Sequence, residues 1–238
     1  MAVPIPVVLS DLDDTLFDHT RATRDALAAV RAFMPGLDAW SSEELHARHA
    51  EILEVLHLEV VAGRIALDDA RIERFRQLLV AGGIERASDH APAVARRYRE
   101  EYQLASGPVA GAVELLTKLK HVGAAIVIVT NNIVTEQRLK LARCGLADFV
   151  DELVTSEEVG VAKPDVRIFQ AALDRARVAP AAAVMFGDAW ATDIEGALAA
   201  GIRPVWLNRF GKSKPNISVQ ELTALEPVDR AVAALLGD

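Results

Sequence analysis

The sequence predicts an α/β protein: a Rossmann-like, doubly wound parallel sheet with an inserted helical domain. Three observations point there. Short apolar runs rich in β-branched residues each end on a polar residue, helical patterns separate these runs, and one long block after the first run holds no strand. The runs 6–10, 124–129 and 182–186 lead into Asp11, Thr130 and Gly187-Asp188. Continuous apolar runs of this length suit strands buried on both faces, as in a parallel sheet covered by helices.

In chain order, the first strand is expected at 6–10. From 18 to 105 Arg, Glu, His, Ala and Leu recur at helical spacing, and Ser42–Val61 and 66–80 read as a helix pair joined through Ala62-Gly63-Arg64. Such a block is too long for a loop and reads as an inserted helical domain. An amphipathic helix at 110–121 ends before Gly123, ahead of the strand at 124–129. The helix at 135–144 stops at Gly145, where glycine suits a C-terminal cap. A strand at 149–155, a helix at 166–176, the strand at 182–186, a helix at 193–200 stopped by Gly201 and a strand at 204–208 follow. After Lys212 come a proline-containing loop and a terminal helix. Strand and helix alternate from 110 onward, which implies βαβ crossovers and a doubly wound α/β core. The expected division is therefore a core of 1–17 and 106–238 and a helical domain of 18–105.

Composition bounds the partners. The 238 residues are 51% hydrophobic and 25% charged, which suits a globular core, and only 5% are aromatic, so aliphatic side chains must fill it. The formal net charge of −8 argues against a nucleic-acid polymer or an anionic membrane as partner. The longest apolar runs, such as 122–129, are too short to span a bilayer, and the first residues carry no basic leader. Cys144 is the only cysteine, so no intrachain disulfide forms, and it is expected to act as a small buried hydrophobe. A reduced, cytoplasmic compartment is the expectation, with the chain a monomer or homodimer.

The chemistry sits where the strands end. DLDDTLFD at 11–18 closes the first strand, at the sheet edge where ligands bind in open α/β folds. Asp11 and Asp13, two apart on extended chain, can face one site. Two close carboxylates repel unless a cation or a shared proton separates them. The alternative is an acidic turn capping a helix. GDAWATD at 187–193 places Asp188 at a second strand end and Asp193 at the next helix start. A hard divalent ion such as Mg²⁺ wants such oxygen ligands, although Asp193 also suits a helix N-terminus on electrostatic grounds alone. Thr130-Asn131-Asn132 offers a hydroxyl and backbone N–H groups to a phosphate, and equally reads as an ordinary turn. Lys163-Pro164 supplies an ammonium able to neutralise carboxylates and phosphate together, and Pro164 sets the direction of the following helix. Alone, each has a plain structural reading. Together, at successive strand ends, they point to phosphoryl chemistry.

These four elements, in this order, resemble the four motifs of the haloacid dehalogenase superfamily, and the resemblance covers most of the chain outside the helical block. It implies Asp11 as nucleophile, with Asp13 protonating the leaving alkoxide and later deprotonating water. It implies phosphate binding by Asp11, Leu12, Asp13, Thr130, Asn131 and Lys163. Mg²⁺ would be held by Asp11, the Asp13 carbonyl and Asp188, with Asp193 in support. The helical block resembles a C1-type cap, which would select the leaving group. SEEVGVAK at 156–163 and GIRPVWLN at 201–208 resemble the pyrimidine 5′-nucleotidase and N-acylneuraminate-9-phosphatase subgroup. Ser10 departs from the Phe of many relatives. Dehalogenases of the superfamily lack an acid at the Asp13 position, so a small phosphorylated metabolite is the expected substrate, first a nucleoside 5′-monophosphate. The alternatives are a phosphoglycolate or sugar phosphatase, phosphotransfer to another acceptor, a haloacid dehalogenase, and a regulatory protein without turnover. In the helical block His46, His49, His57 and Arg64 are candidate substrate contacts. For these, and for Arg71 and Arg74 at a spacing of three, a solvated face or local ion pairs is the alternative reading. Trp40 and Trp190 are expected to pack.

Overall fold

Val7-Val8-Leu9 ahead of Ser10 form the first strand, β1 (Val7–Ser10), and all four residues are buried. The structure, a computed structural model, describes residues 6–213 and 217–237. It divides into two units, one of Met1–Asp18 with Gly107–Asp238 and one of His19–Ser106.

The first unit is built on a six-stranded sheet in the order β3-β2-β1-β4-β5-β6, all of it parallel. The remaining strands are β2 (Ala125–Thr130), β3 (Glu152–Thr155), β4 (Ala183–Gly187), β5 (Arg203–Leu207) and β6 (Gln220–Leu222). β6 was not expected. It is three residues long, polar at its start, and lies at the sheet edge, where no buried apolar run is required. On one face of the sheet Leu9, Val127, Val129, Val154 and Met185 join Ile168, Phe169, Ala172 and Leu173 in a continuous core. Cys144 is buried, as its hydrophobic character predicts.

Helices of this unit are numbered after the four that precede them in sequence. They are α5 (Ala112–His121), α6 (Val134–Arg143), α7 (Ser156–Val159), α8 (Val166–Ala176), α9 (Glu195–Ala199) and α10 (Val228–Leu236). The proline of the loop expected after Lys212, Pro215, lies outside the described residues. The helix expected at 193–200 is corrected at its start: Trp190–Ile194 forms a wide π-type turn, and α-helix begins only at Glu195.

The second unit contains α1 (His19–Phe33), α2 (Ser42–Val61), α3 (Leu67–Ala81) and α4 (Ala87–Ala105). Its interior is filled by Leu27, Val30, Leu37, Leu45, Phe75, Leu78, Leu79, Val94 and Tyr98. α2 opens with a capping box: Ser41 Oγ accepts from Glu44 N at 3.2 Å, and Glu44 Oε2 accepts from Ser41 N at 2.8 Å. Among the described residues no helix is long and apolar enough to cross a membrane.

The cap motif carries a testable cost. Ser41→Ala is expected to lower unfolding stability by about 1 kcal/mol in a denaturant titration, because the Glu44 N–H loses its side-chain acceptor. An unchanged midpoint would show that the motif contributes nothing.

Candidate active site

The chain reverses direction across the sheet at β1, which lies between β2 and β4. In parallel α/β sheets the crevice at such a switch point is where ligands bind. Asp11, Thr130 and Asp188 therefore emerge from neighbouring strand ends. The Asp11 backbone N–H continues the ladder by donating to Phe186 O at 2.8 Å. Leu12 buries its side chain, and its carbonyl accepts the N–H groups of Thr15, Leu16 and Phe17, which tightens the turn after the strand.

Lys163 is the hub of the site. Its side chain is buried, and Nζ lies 2.7 Å from each of Asp11 Oδ1, Asp193 Oδ1 and Val129 O. An ammonium has three hydrogens, and here three acceptors take them. In this arrangement Lys163 orients Asp11 and places its charge beside both acids. Asp11 Oδ2 accepts no hydrogen bond among the described residues. Asn131, expected at the phosphate, lies at the same strand end as Thr130. Its Nδ2 donates to Lys163 O at 2.9 Å and its Oδ1 accepts from Lys163 N at 2.6 Å, so the side chain braces the lysine backbone.

The wide turn at Trp190–Ile194 brings Asp193 back under the end of β4. Asp193 Oδ2 accepts from Ala189 N at 3.0 Å. Gly187 is required by the same group, because a β-carbon there would overlap the Asp193 carboxylate. Trp206 Nε1 donates to Asp188 O at 2.9 Å and fixes the backbone of the second strand-end acid. Trp190 packs edge-on to Trp206 with ring centres 4.9 Å apart.

Asp13 faces a different set of partners. Lys140 Nζ donates to its Oδ1 at 2.5 Å and Oδ2 at 2.8 Å, while Gln137 Nε2 donates to Oδ2 at 3.0 Å. Gln137 Nε2 also lies 2.7 Å from Thr130 Oγ1, which ties the hydroxyl to the same cluster. Sequence reasoning missed Gln137 and Lys140. The available signal was two polar residues at i and i+3 on α6, on the face that also buries Leu141. Arg209, also missed, approaches Asp18 Oδ2 at 3.1 Å and donates to Asp14 O at 3.2 Å.

Ligand oxygens of Asp11, Asp188 and Asp193 all lie within 4.8 Å of one another. Burial pushes the Asp11 carboxyl well above its usual range; Lys163 opposes this, and Asp193, Asp188 and Asp13 add to it. Burial, then the Asp193 charge, pushes Asp188 up to about 6 against the pull of Lys212. Burial alone would depress Lys163, but the charges and hydrogen bonds of Asp11 and Asp193 hold it above its ordinary value. The enclosed Lys163 ammonium, with the more exposed Lys212 Nζ 3.3 Å from Asp188 Oδ2, thus faces three carboxylates, an excess of negative charge that a hard divalent cation fits. Asp13 directs its carboxylate to Lys140 and does not join this acid triad.

In the helical unit the candidates separate. His49 is fully buried, with its ring 5.8 Å from Phe75 and 5.0 Å from Tyr98. Arg64 is held by Glu59 at 2.6 and 2.8 Å. His57 is half-buried on α2. The Arg48 guanidinium lies 4.7 Å over Trp40.

Comparison with known proteins adds to this geometry. The family description "haloacid dehalogenase-like hydrolase" matches residues 5–201. The chain is 33% identical to a phosphoserine phosphatase of Thermus thermophilus over 228 residues, covering 85% of this chain and 88% of that protein. It is 43% identical to a pyrimidine 5′-nucleotidase of Escherichia coli over 114 residues, 45% of this chain and 48% of that one. Among solved structures, a 2-haloacid dehalogenase of Pseudomonas syringae superposes with a TM-score of 0.62 at 28% identity, covering 96% of this chain and 98% of the other.

The raised Asp188 carboxyl yields a prediction. Adding Mg²⁺ to metal-free protein should raise Tm more at about pH 7.5 than at about pH 5, because below about 6 a proton occupies Asp188 and the ion must displace it. Equal shifts at the two pH values would contradict ligation by this carboxylate.

Proposed function

The chain belongs to the haloacid dehalogenase-like hydrolase family and is a phosphatase, and on that footing we propose that it hydrolyses small phosphomonoesters with Asp11 as nucleophile. One observation carries the reading: Lys163 fixes Oδ1 of a buried Asp11, while Oδ2 accepts no hydrogen bond among the described residues and a second acid stands two residues away.

Asp11 Oδ2 attacks phosphorus as the bond to the leaving oxygen breaks, giving an aspartyl phosphate. Asp13 gives the leaving alkoxide its proton. Asp13 then accepts a proton from the water that attacks the aspartyl phosphate, which restores Asp11 and releases inorganic phosphate. Division into two displacements makes each step easier than direct attack by water. The Thr130 hydroxyl is the donor proposed for a phosphoryl oxygen. Lys140 and Gln137 hold Asp13 in place. Lys163 keeps Asp11 from rotating out of line and offsets part of the repulsion between carboxylate and phosphate.

Mg²⁺ fits the acid cluster, with Asp11, Asp188 and the Asp13 carbonyl as proposed ligands and Asp193 in support through Lys163. When bound, such an ion supplies positive charge to the phosphoryl oxygens during transfer. An acid at position 13 serves an alkoxide, which must be protonated on leaving, whereas a halide leaves without a proton. The proposed first substrate is a nucleoside 5′-monophosphate. It is supported by the likeness to the nucleotidase of Escherichia coli, with phosphoglycolate and sugar phosphates as the comparison set. The helical unit is the proposed selector of the leaving group.

Asp11→Asn should abolish phosphate release from every substrate while circular dichroism and Tm stay close to wild type. Retained turnover would remove Asp11 from the nucleophile's role. Asp13→Asn should reduce turnover of an alkyl phosphate by about 10² or more and that of p-nitrophenyl phosphate far less, since the aryl leaving group needs little protonation. Equal losses on the two substrates would argue against Asp13 as the acid.

A further inference from the structure

The helical unit encloses a charge that no acid among the described residues answers. Arg74, on α3, keeps 8% of its surface exposed, and its Nε is sealed from solvent without a hydrogen-bond partner. Among the described residues no carboxylate pairs with it. Its guanidinium instead lies over the faces of Phe75, at 5.2 Å, and Tyr98, at 5.0 Å. The contrast on the same helix is plain: Arg71 pairs with Asp68 at 2.6 Å and Arg76 with Glu73 at 2.6 Å. Local ion pairing, the alternative weighed for Arg71 and Arg74 alike, holds for the first and fails for the second.

A second group in the same place is also unsatisfied. His49, on α2, packs on the same two rings, and neither of its ring nitrogens has a partner. Burial first, and then the Arg74 charge, hold it well below its ordinary pKa, so it stands as a neutral imidazole with one donor N–H. Polar aromatic side chains continue the cluster. The Tyr98 hydroxyl lies 3.4 Å from Thr23 Oγ1, and His19 Nδ1 lies 2.8 Å from the Tyr102 hydroxyl. A buried guanidinium without a counter-charge is costly, and an unsatisfied buried donor beside it adds to that cost. Both costs are removed by one event, the arrival of an anion.

We propose that Arg74 and His49 form an oxyanion-binding site within the helical unit, which takes a carboxylate or phosphate group. The planar guanidinium suits two oxygens of one such group, and the imidazole N–H suits a third contact. The anion comes either as a second charged group on the phosphorylated substrate or as a free ion. In the first case the inference rests on the phosphatase reading and narrows its substrate class to phosphomonoesters that carry another anion.

The test uses the full chain as wild type, Arg74→Met and Arg74→Lys. Tm is followed while sodium sulfate or sodium succinate replaces sodium chloride at constant ionic strength. A saturable rise in wild type beyond that of Arg74→Met is expected, with Arg74→Lys intermediate, because an anion bound only by the folded state stabilises it. General salt effects are shared by all three proteins and cancel in the comparison. Without added anion, Arg74→Met should match or exceed wild type in Tm, which also shows that it folds. Kinetics then separate the sources. A loss of kcat/KM of about tenfold or more, confined to bisphosphates or carboxylate-bearing phosphomonoesters and absent with p-nitrophenyl phosphate, assigns the anion to the substrate. Unselective kinetics together with the Tm difference assign it to a free ion. Identical Tm responses in wild type and Arg74→Met, with no selective kinetic loss, overturn the site. Failure of wild type to turn over any phosphomonoester would sink the phosphatase reading and leave the Tm comparison intact.

Discussion

A single buried ammonium holds the catalytic unit's polar centre together. Lys163 joins three parts of the sheet end: the acid after β1, the acid that follows β4, and the Val129 carbonyl of β2. Removing it would leave Asp11 and Asp193 enclosed and unpaired, a far larger penalty than loss of a surface ion pair. Several other features follow from that arrangement. Asn131 spends its side chain on the lysine backbone because the ammonium must arrive from one direction. Gly187 lacks a β-carbon because the Asp193 carboxylate occupies that space. The turn after Asp188 widens so that Asp193 can reach back to the strand end.

The site also keeps two kinds of acid apart. Asp11, Asp188 and Asp193 crowd together with too little positive charge, which favours a cation. Asp13, only two residues from Asp11, is balanced by Lys140 and held by Gln137. Separate counter-charges let neighbouring carboxylates take separate roles, one group on the metal and phosphorus side and another handling protons. The helical unit shows the opposite economy. Acids pair with several of its surface arginines, while the buried Arg74 lies over the faces of two aromatic rings.

Much of the fold could be read from the chain because the deciding signals are local. Val7-Val8-Leu9, Ala125–Thr130 and Ala183–Gly187 announce buried parallel strands by composition, and the acids and hydroxyl that end them announce the site. β6 could not be read in this way: a three-residue edge strand beginning with Gln220 and Glu221 owes its form to its neighbour β5. The start of the helix near Asp193 was misplaced for a related reason, since its geometry answers to Lys163, thirty residues earlier in the chain. Gln137 and Lys140 look like ordinary helix-surface residues until α6 is seen to turn them toward Asp13. For His49 and Arg74 the chain alone allowed a solvated face, and their burial is a property of four helices packed together that no spacing within one helix discloses.

The central claim is that the strand-end acids share one cation beside a nucleophile held by Lys163. Crystals grown with Mn²⁺ in place of Mg²⁺ would test it through the metal's anomalous signal. The account predicts one strong peak per chain in contact with carboxylate oxygens of Asp11 and Asp188, at roughly the 2.1 Å expected of a small hard cation. No peak at these acids, or a peak that touches Asp188 and leaves Asp11 out of its coordination, would contradict it.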